Sequence, residues 1–289
     1  MIGGQTLQRG ARRLYRQMVQ RAATDLGEAD LRRSAIIFAP HYDDETLGCG
    51  GTIIKKKRAG AELAIAFLTD GSVSHHGRLD KQELSALRHR EGLAAARVLG
   101  VEDSNVLALQ FPDGELSRKV EDAIPRVIEV LRERCPEQIF VPYRYDWTPD
   151  HVATNRIVSE AVRLVGSAAT LYEYPVWFWG HWPWASRRHL ERTRANGWLR
   201  NSAVAFARLR RERKTRVYIA DVARQKRTAL DEHASQMCRP AGEASWPVLS
   251  DVWDGAFLEC FFQDFEIFAC RKPDSRVSNN EAEMTQVAS

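Results

Sequence analysis

Two short stretches constrain the fold more than anything else in this chain. Ala35–Ala39 (Ala-Ile-Ile-Phe-Ala) and residues 63–68 (Leu-Ala-Ile-Ala-Phe-Leu) contain no polar side chain. A strand with one wet face alternates apolar and polar residues, so an unbroken apolar run of this length reads as a strand covered on both faces. Helical periodicity is predicted over 46–59, 80–99, 117–134 and 152–165. Further strands are predicted at 106–109, 138–141 and 170–174. This alternation predicts an α/β fold, a mainly parallel sheet with helices on both faces. Ligands of such sheets bind beyond the carboxyl ends of the strands, so functional residues should directly follow strands. A strand at 216–220, a helix at 222–237 and a strand at 265–270 are expected further on.

The chain's 289 residues are 44% apolar, with 18 Gly and 11 Pro, which excludes collagen-like or globally disordered structure. No run approaches the ~20 apolar residues of a membrane-spanning helix. Arg9, Arg12, Arg13 and Arg16 stand where a secretory leader would be apolar. A cytoplasmic location is expected, with contact at the inner face of the membrane left open. The five cysteines are scattered singly, which argues against a disulfide framework or a cysteine zinc cluster.

Three segments are predicted: a basic amphipathic N-terminal helix within 1–34, a catalytic domain over 35–271 with a Trp/Arg-rich excursion at 175–215, and a disordered tail at 272–289. The net charge of +4 is uneven, because residues 187–216 alone hold eleven basic and two acidic residues. Such a stretch is either a solvated face or a contact for an anionic partner. The tryptophans of the excursion suit stacking on sugars, a lipid interface, a dimer contact or a local core. The pair His75-His76 reads as an exposed loop.

Directly after Ala39 comes Pro40-His41-Tyr42-Asp43-Asp44-Glu45-Thr46-Leu47-Gly48-Cys49-Gly50-Gly51. Adjacent carboxylates at the end of a buried strand repel one another and lose hydration. A divalent cation resolves the conflict: His41 and Asp44 supply ligands, and Asp43 stays free as a base. Gly48, Gly50 and Gly51 allow the next helix to pack closely on the sheet. A second cluster, Tyr143-Arg144-Tyr145-Asp146-Trp147-Thr148-Pro149-Asp150-His151, follows the strand at 138–141. His151 is the natural third ligand, and Asp150 a group that orients a ligand or the base. Two imidazoles, one carboxylate and an open position make a hydrolytic zinc site.

The first motif, with Pro149-Asp150-His151-Val152-Ala153-Thr154-Asn155, resembles the PIG-L/LmbE family of zinc-dependent N-deacetylases. Weaker matches are Thr69-Asp70-Gly71, Arg88 with Glu91, Phe111-Pro112-Asp113-Gly114, and Lys226 with His233, Ser235 and Gln236. The resemblance spans roughly 35–238. It implies a Rossmann-like (LmbE-like) fold, Zn2+ or another divalent ion on His41, Asp44 and His151, and Asp43 as general base. It also implies that Arg88 and Asp113 grip sugar hydroxyls and that the substrate is an N-acetylated aminosugar that releases acetate. Two positions depart from the family pattern. Tyr42 replaces a proline, and Thr148 replaces a histidine that steadies the oxyanion in relatives. Tyr145, Arg144 and His233 are candidate substitutes.

The basic stretches extend the expected substrate to a lipid- or phosphate-bearing conjugate. No nucleic-acid partner is expected, and a homo-oligomer is left open. Two other readings compete: a metal-dependent phosphoester hydrolase, which needs more ligands than the sequence displays, and a catalytically weakened membrane- or nucleic-acid-binding protein.

Overall fold

The computed structural model describes residues 2–75, 78–180, 207 and 211–272. Helix α1 (Ile2–Ala22) leads into a short edge strand β1 (Thr24–Asp25) and helix α2 (Glu28–Arg32). Four strand–helix units follow: β2 (Ala35–Ala39) and α3 (Asp44–Arg58), β3 (Leu63–Thr69) and α4 (Lys81–Leu99), β4 (Val106–Phe111) and α5 (Val120–Arg134), β5 (Gln138–Pro142) and α6 (Pro149–Val165). Then come β6 (Thr170–Tyr174), β7 (Arg213–Tyr218), α7 (Ala223–Asp231), α8 (Ala234–Met237), α9 (Ala256–Glu259) and β8 (Phe265–Arg271).

The strands form one sheet in the order β1-β7-β8-β6-β5-β2-β3-β4, and β8 alone pairs antiparallel, with β6 and β7. The apolar strands β2 and β3 sit side by side, flanked by β5 and β4, and are buried along their whole length. Residues of α5 and α6 pack one face around Ile36, Phe38 and Ile139. Residues of α3, α4, α7 and α9 pack the other around Ile37, Ile65 and Phe140. This is the mixed, mostly parallel α/β sheet expected from the strand–helix alternation. Chain progression reverses at β2, whose neighbours are β3 on one side and β5 on the other. That reversal opens a crevice at the carboxyl ends of β2 and β5.

The N-terminal segment expected as one helix holds α1, β1 and α2, and α1 ends at Ala22. Tyr15 and Val19 of α1 are buried in the core. The helix expected over 222–237 is broken into α7 and α8, with His233 at the break. Of the tryptophans, Trp177 stacks on Phe257 at 4.7 Å and Trp179 is buried beneath the Arg16 guanidinium, so both serve a local core. Trp182, Trp184 and Trp198, and the 273–289 part of the tail, lie outside the described residues. His75 is buried and stacked on Trp246 at 4.2 Å, a correction to the exposed loop expected there; the aromatic partner came from distant chain. His76 lies outside the described residues.

Helix α3 carries the first motif, and its seating on the sheet is unusually close. A Cβ on Gly48 would lie 2.2 Å from the Tyr174 ring, whose hydroxyl donates to the Phe38 carbonyl at 2.8 Å. Glu266 of β8 accepts from the Gly51 and Thr52 amides at 2.8 and 2.7 Å and pairs with the buried Lys226 at 2.7 Å. The substitution Gly48→Ala is expected to destabilise the fold by about 1–3 kcal/mol through overpacking, seen as a lower urea midpoint.

Candidate metal centre

The two loops predicted to carry the chemistry meet in the crevice between β2 and β5. Between β2 and α3 the chain turns abruptly, with Asp43 at φ 127°. A non-glycine residue in this region costs of order 1–3 kcal/mol, a strain the surroundings must hold. The turn splays the adjacent carboxylates apart. Asp44 points to the histidines, while Asp43 lies 3.4 Å from Arg88, which also donates to the Tyr42 carbonyl.

His41, Asp44 and His151 each offer a ligand atom within 4.8 Å of the others. Asp44 Oδ2 is 3.1 Å from His41 Nδ1 and 3.2 Å from His151 Nε2. That His151 nitrogen is buried and makes no well-aligned hydrogen bond among the described residues. A buried imidazole nitrogen without a well-aligned hydrogen bond, facing a carboxylate oxygen shared with a second imidazole, is the arrangement a divalent cation completes. The residues present therefore fit the expected ion.

Local charge follows from this convergence. For Asp44, burial raises the carboxyl pKa, but His151 and His41 outweigh it and hold it well below the ordinary carboxylate range. For His151, burial lowers the pKa, yet Asp44 and Asp146 outweigh it and lift it to about 9. His41 follows the same balance: burial is outweighed by Asp113, Asp150 and Asp44. Asp43 differs. Burial pushes its carboxyl up to about 7 against the pull of Arg88, with the charge of Asp44 adding to the rise. The two neighbouring carboxyls thus have pKa values driven apart, one suited to holding a cation and one to exchanging a proton near neutrality.

The orienting group for His151 is Asp146, missed by sequence reasoning. Its Oδ2 is 2.8 Å from His151 Nδ1 and is steadied by the Val176 and Trp177 amides at 3.2 and 3.3 Å. A carboxylate five residues before a histidine ligand was a usable signal, but Asp150, directly adjacent, competed for the role. Asp150 instead accepts from the Gly114 amide at 2.8 Å and lies 3.5 Å from His41 Nε2. Asp113, expected to grip a sugar, lies 3.2 Å from the same His41 nitrogen and accepts from Val73 N at 3.0 Å. It is held well down, to about 2, because His41 outweighs the effect of burial. Asp146→Asn is expected to weaken divalent-cation affinity by about 10–100-fold, read by titration against a competing chelator.

The remaining candidates separate. Arg144 is engaged with Glu212 at 3.0 Å and Glu173 at 3.4 Å, and it lies over the Tyr145 ring at 5.4 Å. Thr148 precedes α6 as its N-cap, and its buried hydroxyl has no partner among the described residues. His233 is fully buried with Nε2 3.0 Å from Glu45 Oε1. Tyr42 fills the space of the missing proline, its hydroxyl between His89 Nδ1 and Gln110 Nε2, each at 3.2 Å. In the basic stretch, Arg216 pairs with Asp25 at 2.7 Å and Lys214 donates to the Glu212 carbonyl at 2.9 Å, so these cations serve the protein itself. Residues 187–206 of that stretch lie outside the described residues.

Residues 36–162 match the family described as PIG-L, GlcNAc-PI de-N-acetylase. The chain is 33% identical over 140 residues to a diacetylchitobiose deacetylase of Thermococcus kodakarensis, covering 46% of this chain and 51% of that protein. It is 28% identical over 162 residues to a 1D-myo-inositol 2-acetamido-2-deoxy-alpha-D-glucopyranoside deacetylase of Catenulispora acidiphila, covering 47% of this chain and 53% of that one. The chain thus spans about half the length of these curated relatives. In fold it is similar to the solved N,N'-diacetylchitobiose deacetylase of Pyrococcus horikoshii, with a TM-score of 0.60 at 22% identity, over 83% of this chain and 84% of that one.

Proposed function

We propose, from the match of residues 36–162 to the PIG-L family, that the protein is a metal-dependent hydrolase that removes the acetyl group from an N-acetylated aminosugar. The observation that carries this reading is the convergence of His41, Asp44 and His151 within 4.8 Å, with Asp43 at the adjoining position. Two imidazoles and one carboxylate suit zinc. A bound zinc ion supplies Lewis-acid polarisation of the amide carbonyl and acidifies water.

The chain's own groups supply the rest. Asp43, buried with a pKa near neutrality, takes a proton from the attacking water and returns one to the departing amine. Arg88, 3.4 Å from Asp43, favours its ionised form and fixes its direction. Asp146 keeps His151 in the tautomer whose Nε2 is open to the ion. Thr148, at the N-cap of the helix that carries His151, offers its unpartnered hydroxyl as a weak donor to developing negative charge. The sugar-gripping roles of Arg88 and Asp113 belong to the same proposal, as does an anionic, lipid-linked or nucleotide-linked form of the substrate. No described helix is long and apolar enough to cross a membrane.

The test is metal analysis of the purified protein combined with acetate release from N,N'-diacetylchitobiose and from nucleotide-linked and lipid-linked N-acetylhexosamines. One equivalent of metal and acetate release abolished by a chelator support the reading. Metal binding without acetate release from any of the three overturns it. One observation favours a second reading: His41, Asp113 and Asp150 form another possible ligand group around the same imidazole. A two-metal phosphoester hydrolase would use such a group, and two equivalents of metal with phosphoester cleavage would establish it.

A further inference from the structure

We propose that His233 is a positioning residue which, through Glu45, holds the Asp43 peptide in its strained conformation. The inference rests on Asp43 acting as the base of the proposed hydrolysis.

Asp43 stands at φ 127°, and the Tyr42 carbonyl of the preceding peptide accepts from Arg88. The Asp43 N–H donates to Glu45 Oε2 at 3.0 Å. The other oxygen of that carboxylate, Oε1, accepts from the Thr46 hydroxyl at 2.6 Å and meets His233 Nε2 at 3.0 Å. Glu45, Thr46 and His233 are all fully buried. A carboxylate two residues along the same turn cannot anchor that turn unless something outside it fixes the carboxylate. Thr46 belongs to the same turn; His233 does not.

His233 is itself firmly placed. It lies where α7 gives way to α8, its amide donating to the Leu230 carbonyl at 3.1 Å. The Gln236 and Met237 amides donate back to its own carbonyl at 2.9 and 3.0 Å. Two residues on, Glu91 of α4 accepts from the Ser235 amide and hydroxyl at 2.7 and 2.6 Å. This explains why the 222–237 helix breaks: the break turns an imidazole towards Glu45. Among the described residues the ring's one hydrogen-bond partner is Glu45, because Nδ1 makes no hydrogen bond. A fully buried ring acts behind Asp43 rather than on the substrate.

The test uses two amides that differ in reach. The amide nitrogen of glutamine overlays Nε2 of histidine and can reach Glu45, whereas that of asparagine overlays Nδ1 and cannot. His233→Asn is expected to lower kcat for acetate release from N,N'-diacetylchitobiose by about 10–100-fold, the scale of an angstrom-sized misplacement. KM and metal content should stay at the wild-type level, and His233→Gln should recover most of kcat. A crystal structure of the asparagine variant should show Asp43 outside the positive-φ region. Equal kcat in the two variants, or positive φ retained at Asp43 in His233→Asn, overturns the inference. Asp43→Asn assayed alongside separates the two claims: wild-type turnover there removes the base assignment, while the backbone readout still decides the role of His233.

Discussion

Asp43→Asn should leave the protein folded and able to bind metal while lowering kcat by about 10²–10⁴-fold, the usual worth of a positioned general base. The amide is close to isosteric and keeps the carbonyl oxygen, but it cannot take a proton. The proposed ligand set is untouched, because it comprises His41, Asp44 and His151 and not Asp43. Metal content equal to wild type, measured by atomic emission, therefore separates lost chemistry from lost ion. Full turnover by the variant would rule out Asp43 as base.

The wild-type pH profile carries a matching signature. The base works only when ionised, so kcat/KM should fall as pH drops through the Asp43 pKa, which burial places at about 7. A cation on neighbouring Asp44 favours the carboxylate form and moves that limb to lower pH. In Asp43→Asn the acid limb should disappear from the residual activity.

The second large effect is expected for His151→Ala. It removes one of three ligands at a fully buried position and leaves Asp146 and Asp44 without their shared imidazole. Metal binding should be lost under conditions that saturate the wild type, and turnover with it. Isothermal titration with zinc is the direct measurement; unchanged affinity would remove His151 from the site. Breaking a buried charged network by deleting one partner also costs about 3–5 kcal/mol, so the melting temperature should fall even without metal.

The wild type should show a linked proton effect. Asp44 and Asp146 hold the His151 imidazolium up to a pKa of about 9, and the metal requires the neutral ring. Below that pH each bound ion must displace the proton. Affinity should therefore weaken by about tenfold for each unit the pH falls, and more steeply where His41 also carries a proton. Calorimetry in two buffers of different ionisation enthalpy counts the protons released.

What the sequence revealed and what it did not follow from the range of the interactions. The buried strands were visible because a strand covered on both faces needs no polar residue, and Ala35–Ala39 and 63–68 have none. The candidate ligands His41 and Asp44 were visible because an imidazole and two carboxylates at the end of such a strand are too costly without a cation. Both are local arguments, complete within a dozen residues. The orienter of His151 was not decided by sequence distance: Asp150 is adjacent and Asp146 five residues before it, and only the path of the chain into Val176 and Trp177 gave the position to Asp146. Nor could a sequence show that Asp113 would arrive at His41, that Arg88 would face Asp43, or that His75 would be covered by Trp246. Side-chain chemistry and strand periodicity are written along the chain, whereas the partner that neutralises, orients or buries a given group is chosen by packing among segments far apart in it. The sequence alone thus determined the sheet and the residues able to hold an ion. Only the tertiary structure decided which of their neighbours keep them in place.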